Sequence, residues 1–316
     1  MHNKKRIVGV IGLGHVGAHV AFNLGMMGVA DEVLLCDVKE SKLISERQDL
    51  MDAVKFMPHR VDYKIVPYEG LGDCDVIVNA VGDITLCASN NRDDEMNFTV
   101  VQVAGYIAKV MAGGFKGIFI NITNPCDVIT SLIAKLSGLP KGHVLGTGTG
   151  LDTARLVSAI TQQTGVEHNS FIAYMMGEHG NAQMVPWSLV NFGGKSLDDL
   201  KDNPKFNFNR EEMKKTAIGG GWVTYSGKGC TEYGIASVAV TIVSTILRDE
   251  KRIMAASVEL TGEYGETGIF AGCPAILGAD GVEEVMEYKL PAEELAEFKT
   301  CCGKIRSNIA KAGKLL

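Results

Sequence analysis

Gly177-Glu178-His179-Gly180-Asn181 places one histidine in a glycine-flanked stretch, downstream of Leu151-Asp152-Thr153-Ala154-Arg155. Flanking glycine leaves the imidazole uncrowded. Histidine is also the side chain best suited to exchanging a proton near neutral pH. Asp152 and Arg155, three apart on a helix, share one face. The three residues offer a proton donor, a carboxylate to orient it and a guanidinium to grip a carboxylate in two-pronged fashion. With a hydride source beside them, that set suits the reduction of a 2-oxo acid.

The hydride source is suggested at the N-terminus, where Gly12-Leu13-Gly14-His15-Val16-Gly17 matches G-x-G-x-x-G after an apolar strand and before a helical pattern. Gly12 permits the tight turn, Gly14 lets the backbone approach a pyrophosphate, and Gly17 lets helix and strand pack closely. The helix N-terminus then faces the phosphates. Asp37 ends the second apolar run, where a carboxylate accepts from the adenosine ribose hydroxyls and repels a 2′-phosphate, so NAD is expected rather than NADP. The alternative is a turn-glycine cluster with a surface aspartate. His15 and His19 are four apart but have no third ligand or adjacent Glu nearby, unlike H-E-x-x-H, so no metal is expected. His2, His59, His143 and His168 have no motif around them.

The elements that must hold these groups alternate in the first half. Apolar runs at Arg6–Ile11, Val33–Cys36, Tyr63–Val66, Val76–Ala80, Ile118–Ile122 and Val144–Leu145 read as strands. Val16–Met27, Lys39–Lys55, Met96–Met111 and Asp127–Ser137 read as helices between them. The alternation predicts an α/β chain with a Rossmann-type doubly wound parallel sheet, followed by a mixed α+β substrate domain. In the second half, Asp152–Thr164, Glu211–Ile218 and Ile235–Leu247 look helical, and Phe171–Met176 looks extended. Ile253–Leu260, Ile269–Leu277 and Val285–Leu290 read as antiparallel strands, and Pro291 at N1 opens a last helix to about Lys311. The glycine-rich Gly146-Thr147-Gly148-Thr149-Gly150 marks the boundary, giving residues 1–146 to the NAD-binding domain and 147–316 to the substrate and catalytic domain. A chain of 316 residues is long enough for two such units.

The bulk numbers exclude other classes. A net charge of −6 leaves no electrostatic footprint for nucleic acid and argues against anionic membranes. Lys4-Lys5-Arg6 is followed by an apolar run too short for a signal peptide, and the stretch from Gly234 to Leu247 is too short to span a bilayer. The 8 cysteines contain no C-x-x-C pair, which fits small buried side chains in a reducing cytoplasm.

In order along the chain, Gly12 to Gly17, Asp37, Asn124-Pro125, Leu151 to Arg155, Gly177 to Gly180 and Lys228-Gly229-Cys230-Thr231 resemble the L-lactate/malate dehydrogenase family over essentially the whole length. Gly177 to Asn181, Lys228-Gly229 and Tyr233-Gly234 are similar to its L-2-hydroxyisocaproate dehydrogenase branch, which takes larger aliphatic 2-oxo acids. The resemblance implies that His179 donates the proton to the substrate carbonyl, that Asp152 holds the imidazole and stabilises its protonated form, and that Arg155 binds the substrate carboxylate. It gives Asn124 a contact to cofactor or substrate and places Thr231 in the pocket. Gly12, Gly14, Val16, Gly17, Asp37 and Gly82 would line the NAD site. A second arginine is expected on a mobile loop after the fourth strand, and Arg92 fills that place as the group that polarises the carbonyl. A homotetramer or homodimer is also implied.

The departures concern substrate. Where lactate enzymes of the family present Gln and malate enzymes Arg, this chain has Thr85, flanked by Ile84 and Leu86, so malate's second carboxylate would lack a partner. Either Thr85 or Leu86 could take the pocket position. Gly219-Gly220-Gly221 removes bulk from a pocket wall, which suggests room for medium or branched aliphatic acids. A plain helix break is the alternative. The main expectation is therefore an NAD-dependent L-2-hydroxyacid dehydrogenase for 2-hydroxyisocaproate-like substrates. L-lactate dehydrogenase proper is the nearest alternative. An NAD-dependent glycosidase using Cys126, or a catalytically inactive NAD-binding protein, are the remote ones.

Overall fold

The run Ile7–Ile11 forms strand β1, and its neighbours in sequence repeat the pattern of a short apolar strand followed by a helix. In this computed structural model the described residues are 4–87 and 95–316. After β1 come α1 (His15–Met26), β2 (Glu32–Cys36), α2 (Glu40–Val54), β3 (Asp62–Ile65) and β4 (Val76–Asn79). Then follow α3 (Met96–Ala112), β5 (Ile118–Asn121), α4 (Cys126–Ser137), β6 (Val144–Gly146) and α5 (Gly150–Thr164). The six strands pair in parallel in the order β3-β2-β1-β4-β5-β6. That is the doubly wound order, and it reverses between β1 and β4. β2, β4 and β5 are buried along their whole length, as strands covered by helices on both faces must be, and they therefore read as continuous apolar runs.

The second half contributes short hairpins, β7 (Met176–Gly177) with β8 (Gln183–Met184) and β9 (Asn191–Phe192) with β10 (Lys195–Ser196). Helices α6 (Arg210–Lys228) and α7 (Tyr233–Leu247) are followed by β11 (Arg252–Thr261), β12 (Thr267–Gly278), β13 (Gly281–Val285) and α8 (Ala292–Ala312). β11 pairs antiparallel with β6 through Ser257 and Gly146, so the sheet continues as β6-β11-β12-β7-β8, with β13 on β12. One apolar cluster runs across both halves, from Val8 and Val33 through Leu145 to Val258, Ala271 and Phe298. Among the described residues no helix is long and apolar enough to cross a membrane.

Four expectations are adjusted. The last strand is Gly281–Val285, not Val285–Leu290. Its Glu283 and Glu284 interrupt the apolar pattern, because β13 pairs only with β12 and its other side is an edge that tolerates charge. α6 does not break at Gly219–Gly221 but runs unbroken from Arg210 to Lys228, N-capped by Asn209, whose side chain accepts from the Glu212 amide at 3.2 Å. Phe171–Met176 is strand only at Met176, with an isolated bridge between Ile172 and Asn191. Pro291 sits at the N-cap of α8 rather than its first turn, a difference of one residue.

The turn from β1 into α1 depends on two glycines. Gly12 has φ of +89°, a conformation L side chains rarely adopt. A Cβ on Gly17 would lie 1.8 Å from the Gly12 carbonyl oxygen. Gly17→Ala should therefore destabilise the protein by about 1–3 kcal/mol or more. Gly105→Ala, in α3 with nothing within 4 Å of the added Cβ, should stabilise by up to about 1 kcal/mol. Urea denaturation of the two variants tests this, and equal effects would contradict the close approach.

Candidate active site

A cavity of about 540 Å³ opens at the carboxyl ends of β1 and β4, where the strand order reverses. Gly12, Gly14 and Val16 border it, as do Val81, Gly82 and Asp83, and Asn124, Arg155, His179 and Thr231. An open α/β sheet presents ligands at this crevice because the helices that follow its strands start there.

Each wall is held by identifiable bonds. Asp37 Oδ2 accepts from the Leu13 amide at 2.6 Å and Oδ1 from the Lys39 amide at 2.8 Å, so the carboxylate expected at a ribose also ties the glycine loop to the end of β2. α1 has Gly14 at its N-cap with no side-chain cap, and a Cβ on Gly14 would meet nothing within 4 Å. That leaves the first-turn amides for an anion and gives a phosphate room to approach. Gly82 is different: a Cβ there would lie 2.6 Å from Glu95 Oε1, the carboxylate that also accepts from the Asp83 amide. Asn124 is held through its carbonyl, which accepts from Thr99 Oγ1 at 2.8 Å, while its buried side-chain Oδ1 has no partner in the structure. A buried acceptor left bare beside a cavity is costly unless a ligand donates to it. The open N-cap, the glycine turn and this orphaned oxygen fit a dinucleotide.

The chemistry converges on Asp152, which is 1% exposed. Its Oδ2 lies 2.6 Å from His179 Nδ1, and its Oδ1 accepts from Arg155 at 3.1 Å. Arg155 also donates to Thr231 Oγ1 at 3.5 Å. With Nδ1 engaged by the carboxylate, proton exchange with a ligand falls to Nε2. The expected Asp-x-x-Arg helix and the glycine-flanked histidine are thus one unit, although 27 residues separate His179 from Asp152. Gly220 explains the unbroken α6: a Cβ there would lie 3.0 Å from Arg155 Cδ and 3.2 Å from Nε. Gly220 serves close approach of the helix to the arginine, and Gly221 and Trp222 line the cavity beside it. Thr85 is on the cavity wall, with its hydroxyl donating to Asp83 Oδ1 at 2.6 Å, while Leu86 is 42% exposed. Arg92 lies outside the described residues.

Several supports were not legible in the sequence. The His179 amide donates to Asp127 Oδ2 at 2.8 Å, and Ser257 Oγ donates to Asp127 Oδ1 at 2.5 Å. Glu178 accepts from the Ala182 amide at 3.0 Å and from Asn308 of α8 at 3.2 Å, closing the loop that carries His179. Gly177, with φ of +95°, passes so close to α8 that a Cβ would lie 2.6 Å from Cys301 Cβ. Apart from the local Glu178–Ala182 bond, the hydrogen-bonded partners are 52 to 130 residues apart, so no local spacing marks them. Cys126 is enclosed, receives the Gly148 amide at 3.4 Å, and burial pushes its thiol up to about 12. It is a packed side chain, which removes the basis for the glycosidase reading.

Burial pushes the Asp127 carboxyl up from 3.8 to about 7, against the hydrogen bonds from Ser257 and the His179 amide and with the nearby Glu178 and Asp152 adding to the rise. The folded state therefore keeps a proton that the unfolded chain releases between about pH 4 and pH 7. This group's contribution to stability is complete below that window, falls as pH rises through it, and is constant above. Asp127→Asn should gain stability relative to the parent from about pH 4 to 7 and then level off. Urea denaturation across that range checks it, and a gap independent of pH would mean Asp127 ionises as an ordinary carboxylate.

Comparison with known proteins agrees with this geometry. Residues 6–146 match the lactate/malate dehydrogenase NAD binding domain, and residues 149–315 match the lactate/malate dehydrogenase alpha/beta C-terminal domain. An L-lactate dehydrogenase of Fusobacterium nucleatum subsp. nucleatum is 37% identical over 308 residues, 96% of each chain. Among solved structures, the minor L-lactate dehydrogenase from Enterococcus mundtii is similar with a TM-score of 0.92 at 30% identity, covering 97% of this chain and 98% of that one. A malate dehydrogenase from Salinibacter ruber is similar with a TM-score of 0.86 at 30% identity, over 98% of both chains.

Proposed function

The chain belongs to the lactate/malate dehydrogenase family, and from that premise we propose that it is an L-lactate-type dehydrogenase, interconverting a small 2-oxo monocarboxylic acid and its L-2-hydroxy acid. It is an NAD-dependent oxidoreductase. The observation that carries the proposal is the division of the Asp152 carboxylate between His179 and Arg155.

When bound, the nicotinamide supplies or accepts the hydride at the substrate carbon. The rest falls to side chains. Arg155 takes the substrate carboxylate through its planar guanidinium, a contact lysine would make only as a point charge. That fixes the carbonyl relative to His179, whose Nε2 gives its proton to the carbonyl oxygen in reduction and takes it back in oxidation. Asp152 offsets the positive charge of the protonated imidazole and holds the ring in one orientation. Thr231 steadies the arginine, Asn124 offers its bare oxygen to cofactor or substrate, and Arg92 polarises the carbonyl. Gly12, Gly14, Val16, Gly17, Asp37 and Gly82 form the NAD wall. In this proposal residues 1–146 hold the cofactor and 147–316 the acid.

The preference for larger aliphatic acids expected from Gly219–Gly221 has less support than L-lactate chemistry. Three relatives at 36–37% identity are named L-lactate dehydrogenases, and Gly220 makes room for Arg155 rather than only for substrate. We also take the protein to be a homodimer or homotetramer. Ile44 and Met51, seven apart on α2, and Phe56 beyond its end are 55%, 37% and 84% exposed, an apolar strip suited to a second copy.

Steady-state kinetics on pyruvate, 2-oxoisocaproate and oxaloacetate tests the substrate. The highest kcat/KM is expected on pyruvate, and a higher value on 2-oxoisocaproate would restore the larger-substrate reading. His179→Asn should lower kcat by about 10²–10⁴-fold with NADH binding retained. Arg155→Leu should lower kcat/KM by about 2–5 kcal/mol, with little change in NADH affinity. Lost NADH binding in either folded variant would overturn these roles. Gly220→Ala should raise the KM for the 2-oxo acid while gaining up to about 1 kcal/mol of helix stability. An unchanged KM would mean the arginine does not need that space.

A further inference from the structure

We propose that His15, Cys230 and Glu232 form a site for one borderline-soft divalent cation of the Zn²⁺ type, joining the glycine loop to the corner between α6 and α7. This goes beyond the dehydrogenase reading and does not depend on which acid is reduced. His15 is the first residue of α1, while Cys230 and Glu232 lie between α6 and α7. One ligand atom from each lies within 4.8 Å of the other two. His15 Nδ1 is 2.9 Å from Glu232 Oε1, and Cys230 Sγ is 3.3 Å from the same oxygen.

Tetrahedral zinc with ordinary bond lengths requires N···O and S···O separations of about 3.4 and 3.6 Å. These two separations need to widen by only a few tenths of an ångström to admit the ion, and the His15 and Cys230 ligand atoms lie within 4.8 Å of each other. The donor set is one imidazole, one thiol and one carboxylate, a mixture that selects Zn²⁺ or Co²⁺ over Mg²⁺ and Ca²⁺. Lys228 pairs with Glu232 Oε2, so the carboxylate presents Oε1 as a single ligand atom. His19, one turn along α1, is engaged elsewhere: its Nδ1 lies 2.7 Å from the His15 carbonyl oxygen and its ring packs edge-on against Tyr233. The second and third members of the set are therefore tertiary neighbours and not the i+4 histidine.

The exchange balances. The cation takes the neutral imidazole's lone pair, displaces the thiol proton of Cys230 to solvent and binds the carboxylate already ionised against Lys228. Water fills the fourth position, and thiolate plus carboxylate neutralise the dication. His15 and Cys230 both border the main cavity, so the fourth position is reached from there.

Titration of the full-length, metal-stripped protein with Co²⁺, followed by absorption, tests the proposal. One equivalent should give a thiolate-to-cobalt charge-transfer band with intense tetrahedral visible bands, and Zn²⁺ but not Mg²⁺ should abolish both. Cys230→Ser should lose the charge-transfer band. His15→Ala, at an exposed position where folding is not at stake, should weaken Co²⁺ binding at least tenfold, as should Glu232→Gln. A charge-transfer band that persists in Cys230→Ser, or Co²⁺ affinity unchanged in His15→Ala, would overturn the site, as would the absence of any stoichiometric binding. In those cases the three groups are a hydrogen-bonded ion-pair network only.

Discussion

A carboxylate buried to 1% exposure is unfavourable unless both oxygens are answered, and in this protein the answer to Asp152 is the pair of side chains proposed to carry the reaction. One oxygen faces the imidazole of His179 and the other the guanidinium of Arg155. Removing either partner would leave part of a buried charge without compensation, so His179 and Arg155, the proposed proton donor and acid-binding group, are held in register by the same electrostatic requirement. Their relative position is set by two oxygens of one planar group on a helix, which is stiffer than two loops could provide.

The rest of the substrate side arranges itself around that point. The loop carrying His179 is fixed at its amide by Asp127, closed on itself by Glu178 and pressed to α8 at Gly177. Three buried acids, Asp127, Asp152 and Glu178, lie close together, and burial, with the charges of the other two adding to it, raises the pKa of Asp127. Ser257 of β11 contributes the second hydrogen bond to Asp127, and it is also the residue at which β11 joins β6. Continuity of the sheet and placement of the histidine loop therefore meet at one serine.

The cofactor side follows a different logic, in which absent side chains matter more than present ones. Gly12 supplies a backbone conformation, Gly17 a close contact and Gly14 an opening, three separate uses of a missing Cβ in one motif. Gly220 extends the same device to the substrate side, where it brings α6 against Arg155. Gly220 thus lowers helix propensity in exchange for proximity, while the run of three glycines is what resembles a break when read along the chain.

Much of the parallel half was legible, because strands covered on both faces must be continuously apolar and their helices must start where the strands end. The limits of β1 to β6 fall within a residue or two of the hydrophobic runs. His179, Asp152 and Arg155 were also legible as types and spacings, since glycine flanks and a three-residue helical interval are local properties. Asp127, Ser257, Asn308 and Gly220 were not, because their roles arise from partners distant in the chain. The charged edge strand β13 was misplaced for the related reason that pairing on one side relaxes the apolar pattern. The sequence by itself determined the reaction groups, the cofactor loop and the sheet order, all dictated by periodicity or by the chemistry of single residues. Tertiary structure alone decided which carboxylate oxygen serves which partner, how the histidine loop is anchored, and that His15 meets Cys230 and Glu232, because hydrogen bonds and close contacts act over ångströms of space and are blind to separation along the chain.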